Sequence, residues 1–441
     1  MKRPLVMIGA AVAALGLLAG CSTTNSGSSS SGSTTLDFAA LQGGYGTAMY
    51  HKVIDAYEKI HPNVHIKLTL SKDIEDEITP QMKAGNYPDL VELGEGRAAG
   101  LTETMVKDKA LEDLTPVLKE KIPGQGGTVS SQLTGGIVGN LATNPYGTDK
   151  TYLMPVYYAP TGLVYDKHLF AEKGWAVPTT WKQMFQLGDE AKAQGMSLFT
   201  YPTTGYLDSF FYALTADVGG KAFYDDVMNY KPGIWETAKG KKVLDIATKL
   251  LSYAAPTTVG YANEQDYLKN QQSVMDDKAL FMPNGTWVST EMASAPRASG
   301  FEWGLMPLPA VSAGDERYIA TQTEAVWVPS AAKHKDAAKD FIAFMYSKKA
   351  AKLFAASGAI QPIKGVSSLL TGDNKSFYKV YDESGVKPIV GGFASTGTVQ
   401  GVSIQDTLFG TANSIITGDK TEAQWRSALN AASNKLHAAK D

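Results

Sequence analysis

Between Leu36 and Leu93 the apolar residues change their period several times, and no other feature constrains the chain as much. Leu36 to Leu41 is a short apolar run closed by Gln42-Gly43-Gly44-Tyr45-Gly46, after which Met49, Val53, Ala56 and Ile60 recur at helical spacing. Pro62-Asn63 ends that helix. Val64, Ile66, Leu68 and Leu70 then alternate with polar residues, as in a strand with one buried face that neighbours the first strand in parallel. A helix over 74–84 and a strand over 89–93 complete a second crossover. Strands and helices in this order predict an open, mostly parallel sheet, so the body begins as α/β.

The stretch Tyr152 to Tyr165 is apolar and aromatic for fourteen residues, too long for one ordinary strand. Beyond Pro178-Thr179-Thr180, the spacing of Trp181, Met184, Leu187 and Ala191 predicts a capped amphipathic helix, followed by a strand over 196–200. A second α/β lobe starts there. Further helices are predicted around Val243, Ile246 and Leu250, over 337–354 and over 408–416, and no internal repeat is evident.

A length of 441 residues accommodates two or three domains, and 44% hydrophobic with 19% charged residues is the balance of a packed body. The 41 basic and 44 acidic side chains leave a net charge of −3 with no basic block, which argues against a nucleic-acid partner. One cysteine cannot form an intrachain disulfide, and six histidines without HExxH or CxxC spacing supply no metal signature. There is no GxSxG elbow and no phosphate loop, and Gly94-Glu95-Gly96 lacks the last glycine of a dinucleotide fingerprint. No cofactor is therefore expected. The acid pairs Glu92 with Glu95 and Asp276 with Asp277 have a spacing common on solvated surfaces, although spacing alone leaves a glycosidase open.

The N-terminus gives the single cysteine a meaning. Lys2 and Arg3 precede an uncharged run from Pro4 to Gly20, which has the regions of a signal peptide over 1–20 and is short for a membrane-spanning helix. Its end, Leu18-Ala19-Gly20-Cys21, resembles the lipobox of bacterial lipoproteins, which implies lipidation of Cys21; an ordinary signal peptide with a chance cysteine is the alternative. Residues 21–35, almost wholly Ser, Thr and Gly after Cys21, have a composition suited to a tether.

Tyr leads the aromatic residues with 21 of 441, and several aromatics stand beside Gly or Pro: Gly44-Tyr45, Tyr87-Pro88, Tyr157-Tyr158, Gly205-Tyr206, Trp287 and Gly392-Phe393. Turns lie at surfaces, and an apolar ring with a polar tip suits a ligand having CH faces and hydroxyl edges, as a sugar does. Ordinary packing at element ends fits each of these aromatics taken singly.

Five motifs in order carry a resemblance over nearly the whole mature chain: Pro88-Asp89-Leu90, the run YLMPVYYAPTGLVYDK from Tyr152 to Lys167, LFAEKGWAVPTTW from Leu169, MPNGTW ending at Trp287, and WGLMPLP from Trp303. They are similar to the extracellular solute-binding proteins of family 1, the sugar receptors of ABC importers, with Asp166 standing where the family has Asn. GGYG over 43–46, KGW over 173–175 and FTYPTTGY over 199–206 resemble its branch for N-acetylglucosamine or chitobiose.

The resemblance implies a two-lobed, periplasmic-binding-protein-like α/β fold of type II with the ligand in a cleft between lobes. Lobe 1 would comprise 36–156 and 327–375, lobe 2 161–322 and 376–441, with hinge crossings near 157–161 and 323–327. It implies ligand contacts from Gly44 and Tyr45 in the first loop, Glu95 and Arg97 after the third strand, Tyr158 with Ala159 at the crossing, and Thr204, Tyr206 and Trp287 in lobe 2. Glu324, Phe393 and Trp303 follow, although core packing is favoured for Trp303 and Trp327. Leu93 and Ala159 stand where many maltose-type members place an aromatic and a carboxylate, which speaks against α-glucan specificity. The implied partners are a sugar, the ABC permease with its ATPase, and the membrane through the lipid anchor. The implied state is a non-enzymatic monomer on the outer face of the cell membrane. The same scaffold binding a non-sugar solute, an anchored glycoside hydrolase, and an adhesin remain open alternatives.

Overall fold

The computed structural model describes residues 33–42, 47–94, 99–394, 396–397 and 399–440. Its strands are β1 (Thr34–Leu41), β2 (Val64–Ser71), β3 (Leu90–Glu92), β4 (Met154–Asp166), β5 (Ser197–Phe199), β6 (Ala279–Gly285), β7 (Trp303–Met306), β8 (Arg317–Trp327) and β9 (Val386–Val390). The predicted opening is present. β1 runs parallel to β2, with Thr34 opposite Val64, and parallel to β3, with Phe38 opposite Leu90. Helices Ala48–Glu58 and Ile74–Lys83 make the two crossovers. Met49, Val53 and Tyr57 of the first helix are buried with Phe38 and Ile66, as its spacing requires.

The sheet departs from the mostly parallel expectation where the chain returns from the second lobe. β8 lies antiparallel to β3, with Val91 opposite Trp327, and antiparallel to β4 from Met154–Val326 to Pro160–Thr321. β4 leaves the first lobe and β8 re-enters it, so neighbouring crossings must run in opposite directions.

The fourteen-residue apolar run is one strand used twice. Its first half pairs with β8, and from Thr161 onward it pairs with β6 and β7 instead. The register with β8 shifts between Pro155 and Tyr157, where Pro155 has no N–H for the ladder. β8 is divided likewise. Arg317–Thr321 pairs in parallel with β9, the middle pairs with β4, and Val326–Trp327 reaches β3. The sheet order is β2-β1-β3-β8-β4-β6-β5, with β7 on β4 and β9 on β8.

Two large apolar clusters fill the body, and the first continues past the crossing to Met282 and Trp303. Phe38, Tyr50, Phe341 and Phe354 belong to one, and Phe199, Phe211, Phe281, Trp235 and Trp425 to the other. Trp303 and Trp327 are core residues, 2% and 0% exposed. Helix Trp181–Ala193 starts on a reciprocal Thr180–Gln183 cap, as its sequence predicts. The helix expected over 337–354 is two helices, Lys335–Met345 and Lys348–Ala355, because Ser347 stops the first and caps the second by accepting from the Ala350 N–H. The helix expected over 408–416 begins as a π turn at Asp406–Gly410 and continues over Thr411–Thr417.

No helix among the described residues is long and apolar enough to cross a membrane. The signal peptide, Cys21 and most of the tether lie outside the described residues.

Gly162 marks the point where β4 changes partners. A Cβ there would stand 2.4 Å from the Met306 carbonyl oxygen of β7. Gly162→Ala is expected to lower stability by about 2 kcal/mol in urea unfolding. Gly260→Ala, with nothing within 4 Å of its Cβ, should stay within about 0.5 kcal/mol. Equal midpoints for the two variants would contradict the packing at the crossing.

Candidate functional site

In open α/β sheets ligands lie beyond the carboxyl ends of the strands. Here those ends are Leu41 of β1, Glu92 of β3, Phe199 of β5 and Gly285 of β6. Gly44, Tyr45, Glu95 and Arg97, expected in the loops after β1 and β3, lie outside the described residues.

Beyond β5 and β6 the structure brings two expected residues together. Thr204 and Tyr206 form a single 3₁₀ turn, and the Tyr206 and Trp287 rings stand 6.4 Å apart at 59°. Both rings are half-buried. Burial and the nearby Glu291 carboxylate push the Tyr206 phenol up to about 12, with a hydrogen-bonding contact from Trp287 opposing them.

The spacing Gly-x-Trp has a direct cause. A Cβ on Gly285 would lie 2.1 Å from the Trp287 ring, so only glycine lets the indole fold back over the end of β6. The turn beneath is held by a polar chain. Gly285 N donates to Asn284 Oδ1 at 2.8 Å, Asn284 Nδ2 to Gln271 Oε1 at 2.8 Å, and Gln271 Nε2 to Glu291 Oε2 at 2.8 Å. Asn284 and Gln271 are buried, so these bonds fix one arrangement of the turn.

A second cluster sits where β4 and β8 cross. Glu92, at the end of β3, is 0% exposed; Tyr157 Oη donates to its Oε1 at 2.6 Å and Leu41 N to its Oε2 at 3.1 Å. Glu324 of β8 lies opposite Tyr157 in register. Its carboxylate occupies the space a side chain at Gly94 would need, since a Cβ there would stand 2.3 Å from Glu324 Oε2. Burial, then the Glu324 charge, pushes the Glu92 carboxyl up to about 8, while Tyr157 and Leu41 pull it back. Burial and the Glu92 charge also hold the Tyr50 and Tyr157 phenols well above the ordinary tyrosine range.

The remaining expected residues are elsewhere. Tyr158 is 3% exposed, stacked on Tyr381 at 4.8 Å, and it lines a separate pocket of about 220 Å³ with Thr134 and Asp382. The strand residue that faces Glu92 is Tyr157. Phe393 stacks on Tyr230 at 5.4 Å and 11°, with Tyr212 against its edge. Near that pair the half-buried Asp208 carboxyl is pushed up to about 6 by burial.

Three of the four acids noted as pairs in the sequence are among the described residues. Glu92 is buried rather than solvated, and Glu95 is outside the described residues. Asp276 is bonded to Lys278 at 2.8 Å and Gln272 at 2.7 Å, whereas Asp277, in a left-handed conformation, turns toward Asp166. Among the described residues no group of three or more His, Cys, Asp or Glu side chains could hold a metal ion.

The model of the family described as "Bacterial extracellular solute-binding protein" matches residues 39–352. The chain is 25% identical over 338 residues to the diacetylchitobiose binding protein NgcE of Streptomyces coelicolor, covering 73% of this chain and 68% of that protein. It is 23% identical over 367 residues to the multiple sugar-binding protein of Streptococcus mutans, covering 79% and 80%. Among solved structures, the apo-form of RafE from Streptococcus pneumoniae superposes with a TM-score of 0.70 at 20% identity, covering 92% of this chain and 98% of that one. RafE in complex with raffinose gives a TM-score of 0.61 at the same identity, covering 92% and 100%.

The raised Glu92 carboxyl has a thermodynamic consequence. Its folded value of about 8 exceeds the ordinary 4.5, so its contribution is fully present below 4.5 and is lost as pH rises through 8. The unfolding temperature of the parent chain is expected to fall from pH 5 to pH 9 more steeply than that of Glu92→Gln. Parallel profiles would contradict the buried, protonated state.

Proposed function

The chain belongs to the bacterial extracellular solute-binding proteins, and we propose that its solute is a carbohydrate gripped between two closing lobes. The observation that carries this reading is the Tyr206–Trp287 pair, two half-buried rings with polar tips, held over Gly285 at the strand ends where ligands of such sheets lie. Flat apolar faces beside a phenol hydroxyl and an indole N–H match a pyranose, which presents CH groups on its faces and hydroxyls at its rim. The relatives support the class, since their names include diacetylchitobiose and multiple sugars. The likeness to NgcE, together with GGYG, KGW and FTYPTTGY, favours an N-acetylglucosamine-containing oligosaccharide.

Thr204, Tyr206 and Trp287 supply the lobe 2 side in this reading, with Phe393 at its margin. Gly44, Tyr45, Glu95 and Arg97 supply the lobe 1 side. Glu324 lies at the crossing, and Tyr158, in its separate pocket beside Tyr381, is left out of this reading. We assign 36–156 and 327–375 to lobe 1 and 161–322 and 376–441 to lobe 2. The protein is a monomer, anchored through lipidated Cys21, that passes its sugar to an ABC permease and ATPase.

Binding without bond cleavage accords with the carboxylates. A general acid must touch the glycosidic oxygen, and Glu92, the strongly raised carboxyl beside the crossing, is wholly buried under Tyr157 and Leu41.

A micromolar site totals about −8 kcal/mol, closure included. Trp287→Ala is expected to weaken chitobiose binding at least tenfold by calorimetry with the unfolding temperature little changed. Gly285→Ala should do the same by displacing the ring. Unchanged affinity in both variants would remove the ring pair from the site.

A further inference from the structure

A groove of about 730 Å³ lies on the first lobe, between the end of helix Ala48–Glu58, the loop at Pro123–Gln125 and the start of helix Lys348–Ala355. It belongs to neither ring cluster described above. Its wall is apolar: Ile60 is 47% exposed, with Ala56 and Leu353 beside it and buried Phe344 beneath. Its rim carries Lys52, Lys59, Lys348 and Lys349, all exposed, against the single carboxylate Asp55. None of the four lysines makes an ion pair among the described residues. An excess of three positive charges around an apolar trough is a local exception in a chain of net charge −3.

The position of this groove follows from the fold. In a β-α unit the helix returns toward the amino end of its strand, so Lys59 and Ile60 lie at the pole opposite the strand ends that carry Tyr206 and Trp287 or bound the first-lobe cleft. The N-terminal segment leaves at the same pole. Thr34 N donates to Asn63 O at 2.9 Å, three residues past Ile60, and Ser33 stands twelve positions after Cys21. Twelve residues span at most about 40 Å, so an anchor at Cys21 keeps this pole within that distance of the bilayer.

We propose that the groove is a docking face for the anionic surface of a phospholipid bilayer, with the four lysines against the headgroups and Ile60 at the acyl boundary. Cationic rims with an exposed apolar residue are what such an interface selects, and each lysine adds attraction that salt screens within about 10 Å at 0.1 M. Docked in this way the first lobe presents its strand ends away from the bilayer, where solute arrives. The contact must therefore be weak enough to release when the protein turns to deliver. This orientation rests on the anchor proposed above, whereas the affinity for anionic lipid does not.

The test uses the chain begun at Ser22, which removes the anchor. Every buried apolar cluster lies between Leu36 and Leu436, so the whole core is kept. Vesicles of equal phosphatidylglycerol and phosphatidylcholine are expected to retain it on flotation at 0.05 M salt, and vesicles of phosphatidylcholine alone are not. The combined variant Lys52→Gln, Lys59→Gln, Lys348→Gln and Lys349→Gln should lose retention at least tenfold, with its unfolding temperature unchanged. The second-lobe control Lys182→Gln, Lys192→Gln, Lys242→Gln and Lys420→Gln should stay within twofold. No retention on anionic vesicles, or equal loss in the control, would overturn the proposal while leaving sugar binding and the anchor to their own tests.

Discussion

Two antiparallel strands, β4 and β8, hold the molecule together, because each spends one half in one lobe and the other half in its neighbour. Between Met154–Val326 and Pro160–Thr321 they pair mainly with one another, and on either side each is recruited by a different set of strands. A short crossing shared by two lobes is where one of them can turn against the other. The chemistry at the ribbon is unusually sensitive. Glu92, Tyr157 and Glu324 converge there, and Gly94 leaves the space that the Glu324 carboxylate occupies. This set of carboxyls and phenols lies where β4 and β8 pass between the lobes.

The proposed binding surface depends on that ribbon in a second way. A ligand shifts a hinge only by the difference in its affinity for the two arrangements, so a sugar touching one lobe alone would leave the lobes where they were. The rings of Tyr206 and Trp287 are built on the second lobe by a polar chain from Asn284 through Gln271 to Glu291, and hence are ready before ligand comes. Preformed rings reduce the ordering cost of binding, leaving more of the interaction free energy for closure.

Much of this was legible in the sequence where the signal is local. Strand-helix alternation from Leu36 to Leu93 and the Thr180 cap each follow from a few neighbouring residues, whereas the double use of Tyr152–Tyr165 was implied by the family resemblance. The pairing of Tyr206 with Trp287 was foreseen only as membership of one site, while the reason for Gly285 emerges from the indole lying across it. What escaped the sequence depends on distant partners. Glu92 reads as a surface acid because nothing nearby reveals that Tyr157, 65 positions later, covers it. The parallel expectation failed at β8 because strand order is decided by the return path from another lobe. Ser347 did divide the predicted helix by an ordinary capping rule, hidden by the apolar periodicity running through it.

In the proposed function the lobes close on a carbohydrate that leaves intact. The most direct measurement is small-angle X-ray scattering of the chain with and without saturating chitobiose, followed by analysis of the sugar recovered. A smaller radius of gyration with ligand and an unaltered disaccharide are expected. Bound sugar with an unchanged radius, or release of monosaccharide, would contradict it.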